Sequence, residues 1–261
     1  MKRLLSLSKT LLATAALTIL VTSAVHAQGG INLSWSDCGA AGTLQQNFAC
    51  NTNSGVPHIL IASAIPPIPI PAMVAMAGVV DIQTNQAALS PWWNFDPTSS
   101  NPASTGCRSG PPSSLSVSFD FTGGPFTCND AWGGGASGGS DYHSQQGNVA
   151  NRSRLRVVCA VPAPIAVDNV TENYYFKATI NNAKTTGTGA CAGCTDGACI
   201  VFNSIELDQN PGVPNAVNIV TNPLLHNYVL WQGGGGSVAG GCPQAVPTKN
   251  ATWGSVKSLY R

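Results

Sequence analysis

Nine cysteines, Cys38, Cys50, Cys107, Cys128, Cys159, Cys191, Cys194, Cys199 and Cys242, are the residues whose chemistry depends most on where the chain resides. Cys191-Ala-Gly-Cys194 with Cys199 five residues on is a spacing that can serve two ends. In a reducing compartment it offers three thiolates to a zinc ion, with Cys242 or a His as fourth ligand. In an oxidising one it is part of a disulfide framework. Residues 1–27 decide between them. Lys2, Arg3 and Lys9 precede a short apolar run over 11–21, and Val25-His26-Ala27 suits a cut before Gln28. The pattern is a secretory signal peptide, so the expectation is a secreted protein (extracellular, cell-surface or periplasmic) held by disulfides, without metal or other cofactor.

The odd count leaves one thiol over. In Arg154-Leu155-Arg156-Val157-Val158-Cys159, period-2 alternation puts Cys159 on the face of Leu155 and Val157, away from the arginines. Cys159 is therefore expected to be buried and reduced. Among the other eight, proximity along the chain favours Cys38–Cys50 and Cys107–Cys128. It also favours one bridge within Cys191, Cys194 and Cys199, the third pairing with Cys242.

Arg152, Arg154 and Arg156 form a second constellation. On a strand they project from one face about 6.6 Å apart, a row able to bind sulfate, phosphate or a carboxylated polymer. The simpler expectation is a solvent face with acidic residues paired across it. Trp92 and Trp93 form a third, in Pro91-Trp-Trp-Asn-Phe-Asp-Pro97, where an exposed ring would suit a sugar face. Neighbouring residues on a strand point to opposite sides, so one of the two is expected in the core. Asp141-Tyr142-His143 could begin an acid–base or metal site, but no second His lies at ligand spacing. No H-E-x-x-H motif is present, and the carboxylates are scattered. No catalytic residue is assigned.

These residues sit in a chain of alternating segments. Strands are expected at 31–35, 58–65, 74–83, 114–121, 152–161, 174–180, 199–207 and 227–232. The 74–83 segment is apolar on nearly both faces. Between it and 58–65 lies Ile65-Pro-Pro-Ile-Pro-Ile-Pro71, which must run extended as a connection, because proline fixes φ and cannot donate to a ladder. Exposed Ile68 and Ile70 there would mark an assembly contact. Gly-rich 132–140 and 233–241 are expected to be surface loops. At the end of the chain, Trp253, Val256, Leu259 and Tyr260 fall at helical spacing, with Lys257 and Arg261 in the last turn, suggesting a short helical turn.

Charged residues are 9% of the chain, against about 25% in a typical domain. Three of the 12 Lys/Arg lie in 1–27, so the rest are outnumbered by the 11 Asp/Glu. That balance excludes a polybasic surface for nucleic acid. Past residue 27 no apolar run is long enough for a transmembrane segment. The expected fold is all-β: one antiparallel, jelly-roll-like β-sandwich over 28–261, stapled by disulfides. The expected function is a non-catalytic structural, adhesive or surface-assembly role, through self-association or a cell-surface or matrix polymer. A carbohydrate- or polyanion-binding module is the alternative, and a secreted hydrolase comes third.

Overall fold

A computed structural model describes residues 29–96, 106–109, 114–144, 149–234 and 242. The signal peptide and the 253–261 helical turn expected from sequence lie outside the described residues. In chain order the strands are β1 (Gly30–Trp35), β2 (Gln45–Gln46), β3 (His58–Ile65), β4 (Ile70–Thr84), β5 (Leu115–Ser118) and β6 (Asn129–Asp130). They continue with β7 (Ser137–Ser144), β8 (Arg152–Val167), β9 (Asn173–Ile180), β10 (Ala198–Gln209), β11 (Val217–Val220) and β12 (Tyr228–Trp231). The fold is all-β in two sheets. The first runs β1-β3-β9-β5, with β6 beside β9, and the second runs β2-β12-β10-β4-β8-β7, with β11 sharing an edge of β10. Pairing is antiparallel except for the two-residue strands β2, on β12, and β6, on β9.

One hydrophobic core draws on both sheets. Phe176 of β9 meets Phe202 of β10 edge-to-face at 5.6 Å. A Cβ on Gly78 of β4 would lie 2.9 Å from the Phe176 ring, so the small residue lets the sheets approach. Trp35 of β1 donates its Nε1 proton to the Leu230 carbonyl of β12 at 3.1 Å. The outer edge of β1 is not left open. Ile31 and Leu33 donate to the carbonyls of Asn222 and His226, and Leu224 donates back to Ile31, an edge covered by a loop.

The alternation along β8 holds as its sequence indicates. Ser153, Leu155, Val157 and Cys159 are buried, and the arginines lie on the other face. In β9 the register slips between Ala62 and Ser63 of its partner, inserting Tyr175. Tyr174 therefore does not share Phe176's surroundings: it stacks on Phe121 at 4.6 Å. The proline segment is shorter than its composition indicates. β3 runs to Ile65 and β4 opens at Ile70, leaving only 66–69 as connection. Pro71 is tolerated because the β4–β8 ladder is irregular between Ile70 and Met73. Ile70 is fully buried and Ile68 is 37% exposed, so these two do not form a paired apolar patch.

Four strands escape the periodicity: the two-residue β2 and β6, and the longer β7 and β11. Ser137 to Ser144 lies partly in the Gly-rich stretch expected to be a loop, yet it forms β7 on the edge of β8. Cross-strand pairing, not side-chain burial, defines it: among its residues only Tyr142 is buried. β11 is four residues long and has Val217 and Ile219 facing solvent.

Four disulfides are present: Cys38–Cys128, Cys50–Cys194, Cys107–Cys191 and Cys199–Cys242. The expected neighbours Cys38–Cys50 and Cys107–Cys128 are not paired, and no bridge lies within the 191–199 cluster. Only the link from that cluster to Cys242 agrees. Sheet pairing overrides proximity. Gln45 and Gln46 lie along Leu230 and Trp231, and Phe48 is fixed by two hydrogen bonds to the Gln232 side chain. Cys50 is thereby carried to Cys194 instead of Cys38. Cys159 is the free, buried cysteine.

Candidate functional surface

The arginine row lies on the outer face of the second sheet, where β4, β8 and β7 run side by side. Across-strand partners share a face. Asp81, Arg154 and His143 form one row, and Val79, Arg156 and Asp141 the next. Arg154 is a two-pronged partner of Asp81: its Nε donates to Oδ1 at 2.7 Å and its Nη2 to Oδ2 at 2.8 Å. The hydrogen-bonded carboxylate raises the Arg154 pKa further above its ordinary value, against partial burial. Asp81 is 5% exposed. The middle arginine is thus committed to holding a buried acid. His143 Nε2 lies 2.5 Å from Asp141 Oδ2. Arg156 is exposed and makes no ion pair with a described residue.

Further along the same face the row gives way to small and apolar side chains. Val158 pairs with Ala77 on one side and Gly139 on the other, and Ala160 pairs with Ala75 and Ser137. Ala77 and Ala75 in turn pair with Glu206 and Asp208 of β10, which pair with Ile219 and Val217 of β11. Val158, Val217 and Ile219 are 53%, 55% and 61% exposed. At the other end of this face, Cys199, Val201 and Cys242 form a small buried cluster with Tyr228 and Leu230, so the Cys199–Cys242 bridge covers the upper part only.

The burial expected for one of Trp92 and Trp93 extends to both. Both are fully buried. They sit in a short 3-10 turn at Pro91–Trp93, where residues do not alternate sides as on a strand. Trp92 lies 4.8 Å from Trp231 and 5.0 Å from Trp93, ring centre to ring centre. The Arg108 guanidinium stacks over Trp92 at 3.8 Å. Neither indole presents a face to solvent, so they cannot form a sugar platform. Sequence reasoning missed Arg108. It is 1% exposed, donates to the Trp92 and Asn181 carbonyls, and burial lowers its pKa to about 9. It remains cationic at neutral pH. A lone basic residue beside Cys107 in a Ser/Pro/Gly-rich stretch carried no signal of this role.

Sequence reasoning also passed over Gly135-Ala136-Ser137-Gly138-Gly139, which fits the G-x-S-x-G spacing of a hydrolase nucleophile elbow. The chemistry of that motif needs a sharp strand-to-helix turn. Here Ser137 opens edge strand β7 and pairs with Ala160, so the context is absent.

The carboxylates elsewhere are engaged in local structure. Glu172 Oε1 accepts hydrogen bonds from Asn32 Nδ2 at 2.7 Å and Ser63 Oγ at 2.6 Å. Asp196 accepts from Ser90 at 2.5 Å. Asp168 caps its own turn, and those bonds hold its pKa below the usual carboxylate value. Cys38 and Cys128 lie beside Glu172, but their sulfurs are bonded to each other and offer no thiolate. Cys191, Cys194 and Cys199 offer none either, each being bonded to a cysteine outside the cluster. A depression of about 250 Å³ beside Cys50, Cys191 and Cys194 has no titratable group in its lining. Among the described residues no helix is long and apolar enough to cross a membrane. No protein-family model, curated protein or solved structure matches the chain.

Proposed function

We propose that this is an exported, non-catalytic protein with a structural, adhesive or surface-assembly role, acting outside the reducing cytoplasm. Residues 1–27 are its signal peptide and 28–261 one jelly-roll-like sandwich domain. The observation that carries the assembly role is the outer face of β11, β10, β4 and β8. It is a sheet face on which three large exposed aliphatics and the alanines Ala75, Ala77 and Ala160 surround Glu206 and Asp208, where a fully solvated face would carry more polar side chains. Four disulfides spanning distant segments support an oxidising location. The engagement of Asp81, Glu172, Asp168 and Asp196 in structural hydrogen bonds supports the non-catalytic reading.

The test is retention at the surface of the producing cell or in its surrounding matrix. Native protein is expected to start at Gln28 and to stay with the surface fraction. The variant V158S/I219S is expected to be released into the medium with its fold intact. Native protein found wholly free in the medium would refute the role. Exposed Arg156 keeps polyanion binding as a second reading. Under it, R152S/R154S/R156S loses retention on a heparin-type column at low salt while V158S/I219S keeps it.

A further inference from the structure

We infer that the outer face of the second sheet docks a second copy of the same face. This rests on the assembly reading above and names its partner. The first observation is that β4 is apolar on both sides. Met76, Val80 and Ile82 are buried in the core, whereas Ala75, Ala77 and Val79 on the opposite side are only half-buried. A central strand with two apolar faces belongs between two layers. On the outer side the Cys199–Cys242 cluster supplies such a layer only toward the β12 end. Below it, Val217, Ile219, Val158 and the alanines have no cover among the described residues.

The second observation is the charge on the two strands that flank β4 within this uncovered area. Glu206 and Asp208 stand on β10, and Arg156 stands on β8, with β4 between them. Neither acid makes an ion pair or a side-chain hydrogen bond with a described residue, and Arg156 has no ion pair there either. A twofold axis parallel to the strands, lying over β4 and midway between the two faces, exchanges the flanking strands. It sets β8 of one copy against β10 of the other, at the same height. Arg156 pairs across β4 with Val79, and Glu206 pairs with Ala77, two residues along. The offset is about 6.6 Å, within reach of an arginine side chain when sheets stack about 10 Å apart. Ala75 and Ala77 of one copy meet those of the other at the centre, and each Arg156 meets the other copy's Glu206. Such an isologous contact is self-complementary and closes at two copies.

The size of the face sets the strength. Five strands and three rows of outward side chains cover roughly 24 by 20 Å. The total buried area is then about 1,000 Å², the lower limit for a specific interface. A weak dimer follows, populated at tens to hundreds of micromolar and favoured by low salt.

Sedimentation equilibrium of the full secreted chain, from 10 µM to 1 mM at 50 and 500 mM NaCl, tests this. A monomer–dimer equilibrium weakened at least threefold by the higher salt is expected. I219E and R156E should each lower the association constant at least tenfold with circular dichroism unchanged. The charge swap R156E/E206R should restore it to within about threefold of the native value. A strictly monomeric protein at 1 mM and low salt would overturn the inference. So would a dimer indifferent to I219E, or a charge swap that fails to rescue. If the full chain is monomeric and a chain ending after Cys242 dimerises, the face is covered by the protein's own C-terminal segment, which also overturns it. A monomer that still stays with the cell surface and loses that retention in V158S/I219S removes the second copy as partner and leaves the assembly role standing.

Discussion

Asp81 is the only charged residue in β4, and its position explains why one of the three arginines is set apart from the other two. Its carboxylate is buried at the side of a ladder, and Arg154, whose side chain is 29% exposed, satisfies both oxygens. The two partners differ in what they can do when left alone. Arg154 can turn its guanidinium into water, but Asp81 cannot leave the sheet. Arg154→Ala is therefore expected to destabilise by about 3 kcal/mol, the lower end for a broken buried pair. Asp81→Ala should cost about 1 kcal/mol. Urea unfolding of both variants and of the double variant checks the asymmetry, and equal losses would contradict it. Cys159 gives the pH prediction. Burial pushes its thiol up to about 12, from an ordinary value of 9.0. The folded protein keeps a proton that the unfolded chain releases above about pH 9. Stability from this group is complete below pH 9 and lost as pH rises from there toward 12. Buried Tyr175, whose pKa is also raised by burial, contributes in the same direction. Native protein at pH 8 should not react with a thiol reagent until guanidinium is added. Cys159→Ala should reduce the loss of stability between pH 9 and 11.

β7 is the element whose existence depends most on contacts the sequence pattern does not display. Gly138 and Gly139 are neighbours on it but face opposite constraints. A Cβ on Gly138 would lie 2.0 Å from the Val158 carbonyl oxygen and 2.6 Å from the Cys159 Cα, whereas one on Gly139 would meet nothing within 4 Å. Backbone atoms in a ladder cannot step aside as a flexible side chain can. Gly138→Ala should force β7 off β8 and destabilise by about 2 kcal/mol or more, in the range of overpacking. Gly139→Ala should be neutral or stabilising by a few tenths of a kcal/mol. Hydrogen exchange at the β7 amides with urea midpoints distinguishes the two, and loss of protection in Gly139→Ala would contradict the register. The same strand carries Tyr142, whose hydroxyl donates to the Trp93 carbonyl or to Ser153 Oγ. One edge strand therefore ties the tryptophan cluster to the arginine-bearing strand.

Over the whole molecule the four disulfides divide into two groups. Cys38–Cys128, Cys50–Cys194 and Cys107–Cys191 border the main core and span 90, 144 and 84 residues. Chain-entropy arguments give each about 4–5 kcal/mol, comparable with the whole stability of many domains. Cys199–Cys242 spans 43 residues and borders only the small outer cluster. Replacing Cys107 and Cys191 with Ala should cost most of the folded population at 37 °C. Replacing Cys199 and Cys242 should lower the melting temperature and leave the near-ultraviolet signature of the buried tryptophans in place. Calorimetry and circular dichroism of the two double variants check this ordering, and a greater loss in the second would reverse it.

The parts of this protein that were legible in its sequence are those set by local alternation. Leu155, Val157 and Cys159 are buried on one side of β8, with arginines on the other, because a pleated strand next to a core admits no other placement. The same reasoning identified β3 over His58–Ile65 residue for residue and the odd thiol at Cys159. What sequence left open depends on partners far along the chain. The two tryptophans at 92 and 93 are both inside because a 3-10 turn, packed on Trp231 and capped by Arg108, replaces the strand that alternation assumed. β7 exists because β8 supplies a ladder for a segment rich in glycine and serine. The cysteines pair across 43 to 144 residues because sheet pairing brings distant segments together, and proximity in sequence carries no information about that. Tertiary structure likewise decided that Arg154 is held by Asp81 while Arg156 makes no ion pair among the described residues. A strand pattern specifies which face a side chain takes, and only the neighbouring strand specifies what it meets there.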